Sequence, residues 1–155
     1  MESDTISLII IVFCIIMSAY FSATETAFSS LNRIRVKNMA EKGNKRAALV
    51  LKLSEDYDGM LSTILIGNNI VNIACASLST LIFVRFLGDE AGASVSTVVT
   101  TIVVLIFGEV SPKSIAKESP ERLAMLSAPL LNVFIKILAP ANFLFRQWKK
   151  LLSAV

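Results

Sequence analysis

The chain has no histidine, only two cysteines, four prolines and six glycines, and charged residues make up 17% of its 155 positions. The lack of histidine excludes His-dependent proton relays and most transition-metal sites, which rely on imidazole. Cys14 and Cys75 both fall in apolar segments, where cysteine usually acts as a small packing residue rather than in a disulfide. Nothing in the sequence is typical of a nucleic-acid-binding protein.

Long hydrophobic runs are abundant, since 54% of the residues are hydrophobic. A helix needs about 20 apolar residues to cross a bilayer. Three segments are long enough or close to it: Ser7–Phe28, Met60–Phe86 and Val95–Val110. The first is too long, and lacks the preceding basic residues, for a signal peptide. We therefore predict an all-α membrane protein of one domain, residues 1–155, with spans at about residues 6–30, 59–86 and 94–116.

The distribution of basic residues predicts the orientation. Seven of the 15 Lys and Arg lie between the first and second segments, and seven follow Pro112. Only Arg85 lies near the second connection, beside Asp89 and Glu90. Because basic loops stay in the cytoplasm, we expect a multi-pass protein of the cell (plasma) membrane. Its N-terminus would lie outside and its C-terminus in the cytoplasm.

A fourth apolar stretch, Leu123–Phe145, is better explained by a helix on the membrane surface than by a crossing. A crossing would bury Lys136 near mid-bilayer, at a cost of roughly 3 kcal/mol or more. Pro129 and Pro140 would also interrupt it. We predict an amphipathic juxtamembrane helix at about residues 120–150.

The first connection, residues 32–57, contains two short runs of helix-forming residues separated by Gly43-Asn44. This pattern predicts a cytoplasmic helical hairpin. Its basic surface would face anionic lipid headgroups.

Polar residues recur inside the predicted spans at helical spacing. Ser18 and Ser22 are four residues apart in the first span, and Asn68 and Asn72 repeat that spacing in the second. Residues four apart lie on one face of a helix. Serine can simply bond back to its own helix, and asparagine can join neighbouring helices. A polar residue inside a membrane is otherwise a candidate for function.

The third span contains one carboxylate well inside it, Glu109, followed by Pro112. Proline has no N–H, so the Gly108 carbonyl four residues earlier loses its helical partner. Antiparallel helices would bring this carbonyl and carboxylate level with the serines and asparagines. An all-oxygen site with one carboxylate suits a hard cation such as Mg²⁺, Na⁺ or Ca²⁺. The alternative is that Glu109 only pairs with Lys113, one turn away.

Three motifs together resemble the membrane domain of the CNNM/CorC magnesium transporters: Ser18 to Phe28, Gly67 to Asn72 and Gly108 to Lys113. The resemblance covers the chain from Ser18 to beyond Pro120. It implies a homodimer in the lipid bilayer, with three transmembrane helices per subunit and the juxtamembrane helix forming a cytoplasmic belt. It also implies that the chain is not an enzyme. Family members continue into cytoplasmic CBS domains, so a chain ending at Val155 resembles the membrane domain alone.

The resemblance further implies Mg²⁺ export by alternating access, coupled to Na⁺ influx. It assigns the metal ligands to these positions: Ser18, Ser22, Asn68, Asn72, Gly108 and Glu109. Glu25, nearer the cytoplasm, would lie at an entrance or exit. Two alternatives remain open from the residues. One is a Mg²⁺ sensor that regulates a partner channel without transporting ions. The other is an intramembrane serine hydrolase with Ser22 or Ser111 as nucleophile and Lys113 as base.

Overall fold

The computed structural model describes all residues, Met1–Val155, and contains helices and no strands. The α-helices are α1 (Glu2–Ser30), α2 (Arg33–Glu41), α3 (Lys45–Glu55), α4 (Tyr57–Leu87), α5 (Asp89–Val103), α6 (Ser111–Glu118), α7 (Pro120–Ile137) and α8 (Ala139–Ser153). A π-helical segment, Val104–Val110, joins α5 to α6. The prediction of an all-α protein is confirmed.

Three helical stretches are long and apolar enough to cross a membrane: α1, α4 and the continuous stretch Asp89–Glu118. They contain 29, 31 and 30 residues, whereas about 20 suffice for a bilayer. Large apolar side chains such as Phe13, Ile73 and Ile102 are exposed along them. In water such surfaces would be costly, but they match the acyl chains of lipid. The chain is therefore a multi-pass membrane protein, and the prediction of three spanning helices is confirmed.

The third span changes its hydrogen-bonding pattern midway. At the end of the π-helical segment, the Ser111 backbone N–H bonds the Ile106 carbonyl, five residues earlier instead of four. Such wide turns are rare and occur mostly as short insertions at functional sites. Pro112 follows directly and cannot donate to the Gly108 carbonyl in the α-helical pattern. The span thus deviates from regular helix where the sequence predicts the metal ligands.

Helices α2 and α3 form the predicted hairpin. The Asn44 side chain caps α3 by accepting hydrogen bonds from the backbone N–H groups of Arg46 and Ala47, at 3.0 and 3.1 Å. Gly43, with φ at +96°, makes the left-handed turn between the helices. Val50 on α3 is fully buried. The helix boundaries therefore agree with the break expected at Gly43-Asn44.

The segment after α6 forms two helices, α7 and α8, which meet at a 72° bend. Together they are apolar enough for a broken span, so the surface location remains a prediction. The expectation that Pro129 interrupts the helix is wrong, because α7 continues through it to Ile137. Two residues close to Pro129 on α7, Ala128 and Leu131, are fully buried. Helix α7 packs against α3. This packing offsets the loss of one backbone hydrogen bond, and the break comes at Leu138, before Pro140.

The chain divides into two compact units. The first comprises Met1–Ala23 and Gly67–Ile115, with Phe21 and Cys75 among its buried side chains. The second comprises Thr24–Ile66 and Ala116–Val155. All the predicted metal ligands belong to the first unit.

Within the second unit, polar contacts join α8 and α7 to their neighbours. Arg146 of α8 pairs with Asp56, which directly precedes α4. On α7, Glu121 accepts a hydrogen bond from the Asn32 backbone N–H at 3.1 Å and lies 3.9 Å from Arg35. Its own backbone N–H and that of Asn32 hold the pKa of the Glu121 carboxyl below its usual value, with a smaller contribution from Arg35. The carboxylate form of Glu121 therefore favours the folded state.

Candidate metal centre

Ser18 of α1 contacts predicted ligands of both other spans in a cluster of oxygen atoms. Its side chain is fully buried, and its hydroxyl donates a hydrogen bond to the Asn68 Oδ1 atom at 2.9 Å. The same hydroxyl lies 3.4 Å from the Gly108 carbonyl oxygen. The structure thus brings one predicted ligand from each of the three spans together.

Asn68 connects this serine to the carboxylate. Its Nδ2 atom donates to Glu109 Oε1 at 3.3 Å, while its Oδ1 atom accepts from Ser18. Asn72, one turn further along α4, points its own Nδ2 atom at Asn68 Oδ1 at 3.5 Å. Because the two partners of the Asn68 amide differ in kind, they fix its orientation. Asn68 thus contacts Ser18, Asn72 and Glu109. Its position in the sequence alone does not indicate this linking role.

At position 108, where α1 and the third span are in close contact, any side chain would displace Ser18. A Cβ atom placed there would lie 2.9 Å from the Ser18 hydroxyl oxygen and 3.3 Å from the Ser18 Cβ atom. A similar restriction applies beside Asn68, since a side chain at Gly67 would collide with the ring of Phe21. Small residues at these two positions allow the helix backbones to approach each other, as in other membrane helix contacts.

Glu109 is shared between the cluster and a lysine. Its Oε2 atom lies 3.6 Å from the Lys113 ammonium, one helical turn away, while Oε1 faces Asn68. The Glu109 and Lys113 side chains are 29% and 37% exposed. Partial exposure weakens such a pair, which typically contributes 1 kcal/mol or less. The Glu109–Lys113 ion pair, predicted as the alternative to a metal-binding role, is therefore present. It involves only one carboxylate oxygen, and the other faces the cluster.

Two further predicted ligands carry oxygen atoms with unused hydrogen-bonding capacity. Ser22 is fully buried, one turn from Ser18, and its hydroxyl has no hydrogen-bond partner. The Oδ1 atom of Asn72 is likewise buried without a partner. Leaving a buried polar group unpaired costs about 1–3 kcal/mol. Such groups in a native protein require an explanation, and a role in binding a cation is one. Sequence patterns alone do not reveal this feature.

The arrangement is chemically selective. The chain supplies four kinds of oxygen donor: serine hydroxyls, asparagine amides, a backbone carbonyl and a carboxylate. None of the predicted ligands offers sulfur or imidazole, so soft metals find no preferred ligand. The single carboxylate supplies one negative charge, and the neutral oxygens complete the shell. This donor set fits a hard cation such as Mg²⁺.

A serine nucleophile requires a base within hydrogen-bonding distance. The Ser22 hydroxyl has no hydrogen-bond partner. Ser111 is exposed at the start of α6. Lys113, the base of the hydrolase alternative, forms an ion pair with Glu109. The geometry therefore offers no support for a hydrolase that uses Ser22.

Comparison with known proteins identifies relatives of this chain. The family model of the cyclin M transmembrane N-terminal domain matches residues 9–153. A UPF0053 protein of Haemophilus influenzae is 40% identical over 95% of this chain, and the UPF0053 inner membrane protein YfjD of Escherichia coli is 44% identical over 90%. A chloroplastic DUF21 domain-containing protein of Arabidopsis thaliana is 36% identical over 71%. The chain spans 35% and 31% of the two bacterial relatives and 16% of the plant protein.

Proposed function

Because the chain belongs to the cyclin M (CNNM) transmembrane-domain family, we propose that it is a magnesium ion transporter rather than an enzyme. The observation that carries this proposal is the oxygen cluster of Ser18, Asn68, Gly108 and Glu109, which joins all three membrane spans. A binding site built from every span is the arrangement expected where relative movement of helices exposes an ion to one side and then the other.

In the proposed site, Mg²⁺ replaces hydrogen bonds that the ligands now make with one another. Ser18, Ser22, Asn68 and Asn72 supply neutral oxygens, Gly108 supplies its carbonyl, and Glu109 supplies the charge. The Ser18 proton turns away from Asn68 Oδ1, which then faces the ion. The unpartnered Ser22 hydroxyl and Asn72 Oδ1 gain a ligand without giving up an existing bond. Mg²⁺ prefers about six oxygens and usually keeps some water.

In this proposal the Lys113 ammonium takes the place of Mg²⁺ beside Glu109 when no ion is bound. When the site is empty, its ammonium balances the Glu109 carboxylate across 3.6 Å. An arriving Mg²⁺ carries twice the charge and displaces it. A carboxylate inside a membrane span without any cation nearby would be costly. The ion pair thus balances the charge of Glu109 between binding events.

We also propose the direction and coupling of transport. The basic residues of the hairpin and the C-terminus support an outside N-terminus and a cytoplasmic C-terminus. Mg²⁺ then enters from the cytoplasm and leaves outside, driven by Na⁺ influx. The chain works as a homodimer in the cell membrane, with α7 and α8 forming the cytoplasmic belt. Cytoplasmic CBS domains belong to the longer family proteins.

Mg²⁺ flux into or out of proteoliposomes tests this function. We expect the wild-type chain to move Mg²⁺ when a Na⁺ gradient is imposed, and Glu109→Ala to abolish that movement. Glu118→Ala is the matched control, because it removes an exposed carboxylate from the same span. Wild-type protein that binds Mg²⁺ but moves none would identify the chain as a sensor. Equal flux in wild type and Glu109→Ala would refute the proposed site.

A further inference from the structure

A second polar feature lies between α4 and α5, next to the metal centre but outside it. A cavity of about 280 Å³ is bordered at one end by Asn72 of the proposed site. Its other polar lining residues are Thr80, Ser96, Thr97, Thr100 and Thr101. No charged residue lines it. Five hydroxyl groups thus surround one cavity within two membrane spans.

The hydrogen bonds of these groups give the cavity a defined chemical character. Thr80 donates its proton to the Ala76 carbonyl and Thr97 donates to the Ala93 carbonyl, both at 2.9 Å. Because the Thr80 proton is used, the Ser96 hydroxyl is the donor in their 3.2 Å contact. These three hydroxyls therefore present lone pairs, not protons, to further partners.

Asn72 continues the same pattern at the end of the cavity nearest the metal centre. Its Nδ2 atom is directed to Asn68, whereas its Oδ1 atom has no partner. Three of the five cavity hydroxyls and the Asn72 Oδ1 atom are thus available as acceptors, and no cationic side chain lines the cavity. Such a lining attracts water protons or a cation, and it repels anions.

We propose that this cavity is a water-filled vestibule in which the transported cation regains its hydration shell. The inference rests on the proposed function, because it needs a cation leaving Glu109 past Asn72. Mg²⁺ gives up water reluctantly, so release from a protein-made site requires water close by. About six waters at about 30 Å³ each need about 180 Å³. The cavity of about 280 Å³ has room for them. The water ligands of Mg²⁺ direct their protons outward, where the threonine and serine lone pairs accept them.

The alternative is purely structural: threonines in membrane helices bond back to their own helix and face lipid or a second copy of the chain. The two explanations differ in whether the cavity holds water. Thiol reactivity distinguishes them, because only the thiolate reacts and it forms in water, not in hydrocarbon. Under the proposed topology the cavity lies in the outer half of the membrane, so reagents are added from outside.

Cysteine labelling of the whole chain tests the vestibule. The background is Cys14→Ala/Cys75→Ala, which removes the two native thiols. Thr97→Cys places a thiol at the cavity, and Val98→Cys places one at nearly the same depth on a side chain that is 60% exposed outside it. We expect a cationic trimethylammonium methanethiosulfonate to modify Thr97→Cys at least roughly tenfold faster than Val98→Cys. It should also react faster than the anionic sulfonate reagent.

Thr100→Cys serves as the second cavity variant in case Thr97→Cys does not fold. If neither reacts faster than Val98→Cys, lipid or a second copy fills the cavity and the vestibule is refuted. A preference for the anionic reagent would overturn the acceptor lining as well. Calorimetric Mg²⁺ binding by the same background protein reports on the metal centre separately. Failure of the vestibule is then seen as unreactive cysteines in a background protein that still binds Mg²⁺ and moves it in proteoliposomes. Failure of the proposed function is seen as absent Mg²⁺ flux in that background protein, whether or not Mg²⁺ binds.

Discussion

Replacing Gly108 by alanine adds one methyl group at the contact between the third span and α1. In an unobstructed helix this change favours folding by about 1 kcal/mol, because alanine is a much better helix former than glycine. Here the new Cβ atom would lie 3.3 Å from the Ser18 Cβ atom and 2.9 Å from its hydroxyl oxygen. Carbon atoms prefer separations of about 3.5–4.0 Å. Ser18 must therefore move by several tenths of an ångström.

The displacement affects stability and ion binding differently. A shifted Ser18 weakens its 2.9 Å hydrogen bond to Asn68, which contributes about 1 kcal/mol. This loss roughly cancels the gain in helix propensity, so we expect the thermal stability of the protein without Mg²⁺ to change little. Mg²⁺ is less tolerant, because it demands near-ideal octahedral geometry. Losing one neutral ligand at about 1.4 kcal/mol raises the Mg²⁺ dissociation constant about tenfold.

Calorimetry on Gly108→Ala, Ser18→Ala and the double variant measures this effect. Since the methyl group acts by displacing the Ser18 hydroxyl, the double variant should bind Mg²⁺ about as weakly as Ser18→Ala alone. Additive losses would mean that the two residues act independently. Unchanged Mg²⁺ affinity in Gly108→Ala, with stability raised by the full helix-propensity gain, would refute the close-contact reasoning.

Three further predictions address single groups. Ser22→Ala should leave the Mg²⁺-free protein equally or more stable in thermal unfolding, because its hydroxyl is unpartnered, yet weaken Mg²⁺ binding about tenfold; lost stability with unchanged affinity would contradict its role as a ligand. Lys113→Met should strengthen Mg²⁺ binding by up to about fivefold, since the ion no longer competes with the ammonium for Glu109, whereas weaker binding would make Lys113 part of the site. Glu121 has a lowered pKa in the folded state, so its contribution to stability is present above its ordinary value of 4.5 and is lost as the pH falls through the folded value. In thermal unfolding, Glu121→Gln should not show this loss of stability at acidic pH. If wild type and Glu121→Gln showed the same dependence of stability on pH, the contact with Asn32 would be refuted.

Much of the fold follows from hydropathy and local helix signals. The three spans exceed the length that a bilayer requires, and Gly43-Asn44 ends one helix and starts the next through ordinary turn and cap chemistry. Packing explains the exception at Pro129. A proline signal acts through one backbone hydrogen bond, and the burial of Leu131 and its neighbours outweighs it.

The candidate site was less fully predictable. Helical spacing placed Ser18 and Ser22 on one face, and the missing N–H of Pro112 indicated an altered backbone at Gly108. The π-helical segment beside it produces no recognisable periodicity in the sequence. Neither the central position of Asn68 nor the unpartnered Ser22 hydroxyl depends on local pattern, because both arise from contacts, or missing contacts, between helices.

The central claim is that Mg²⁺ binds where Glu109 meets the oxygen cluster, and calorimetric titration of Mg²⁺ into wild type and Glu109→Gln tests it most directly. The glutamine keeps the shape of the side chain, removes its charge and replaces one acceptor oxygen with an NH2 donor. We predict saturable binding in wild type and in the Glu118→Gln control, and no detectable binding in Glu109→Gln. Binding that is the same in all three proteins, or absent from wild type, would contradict the account and leave the cluster as a set of hydrogen bonds between membrane helices.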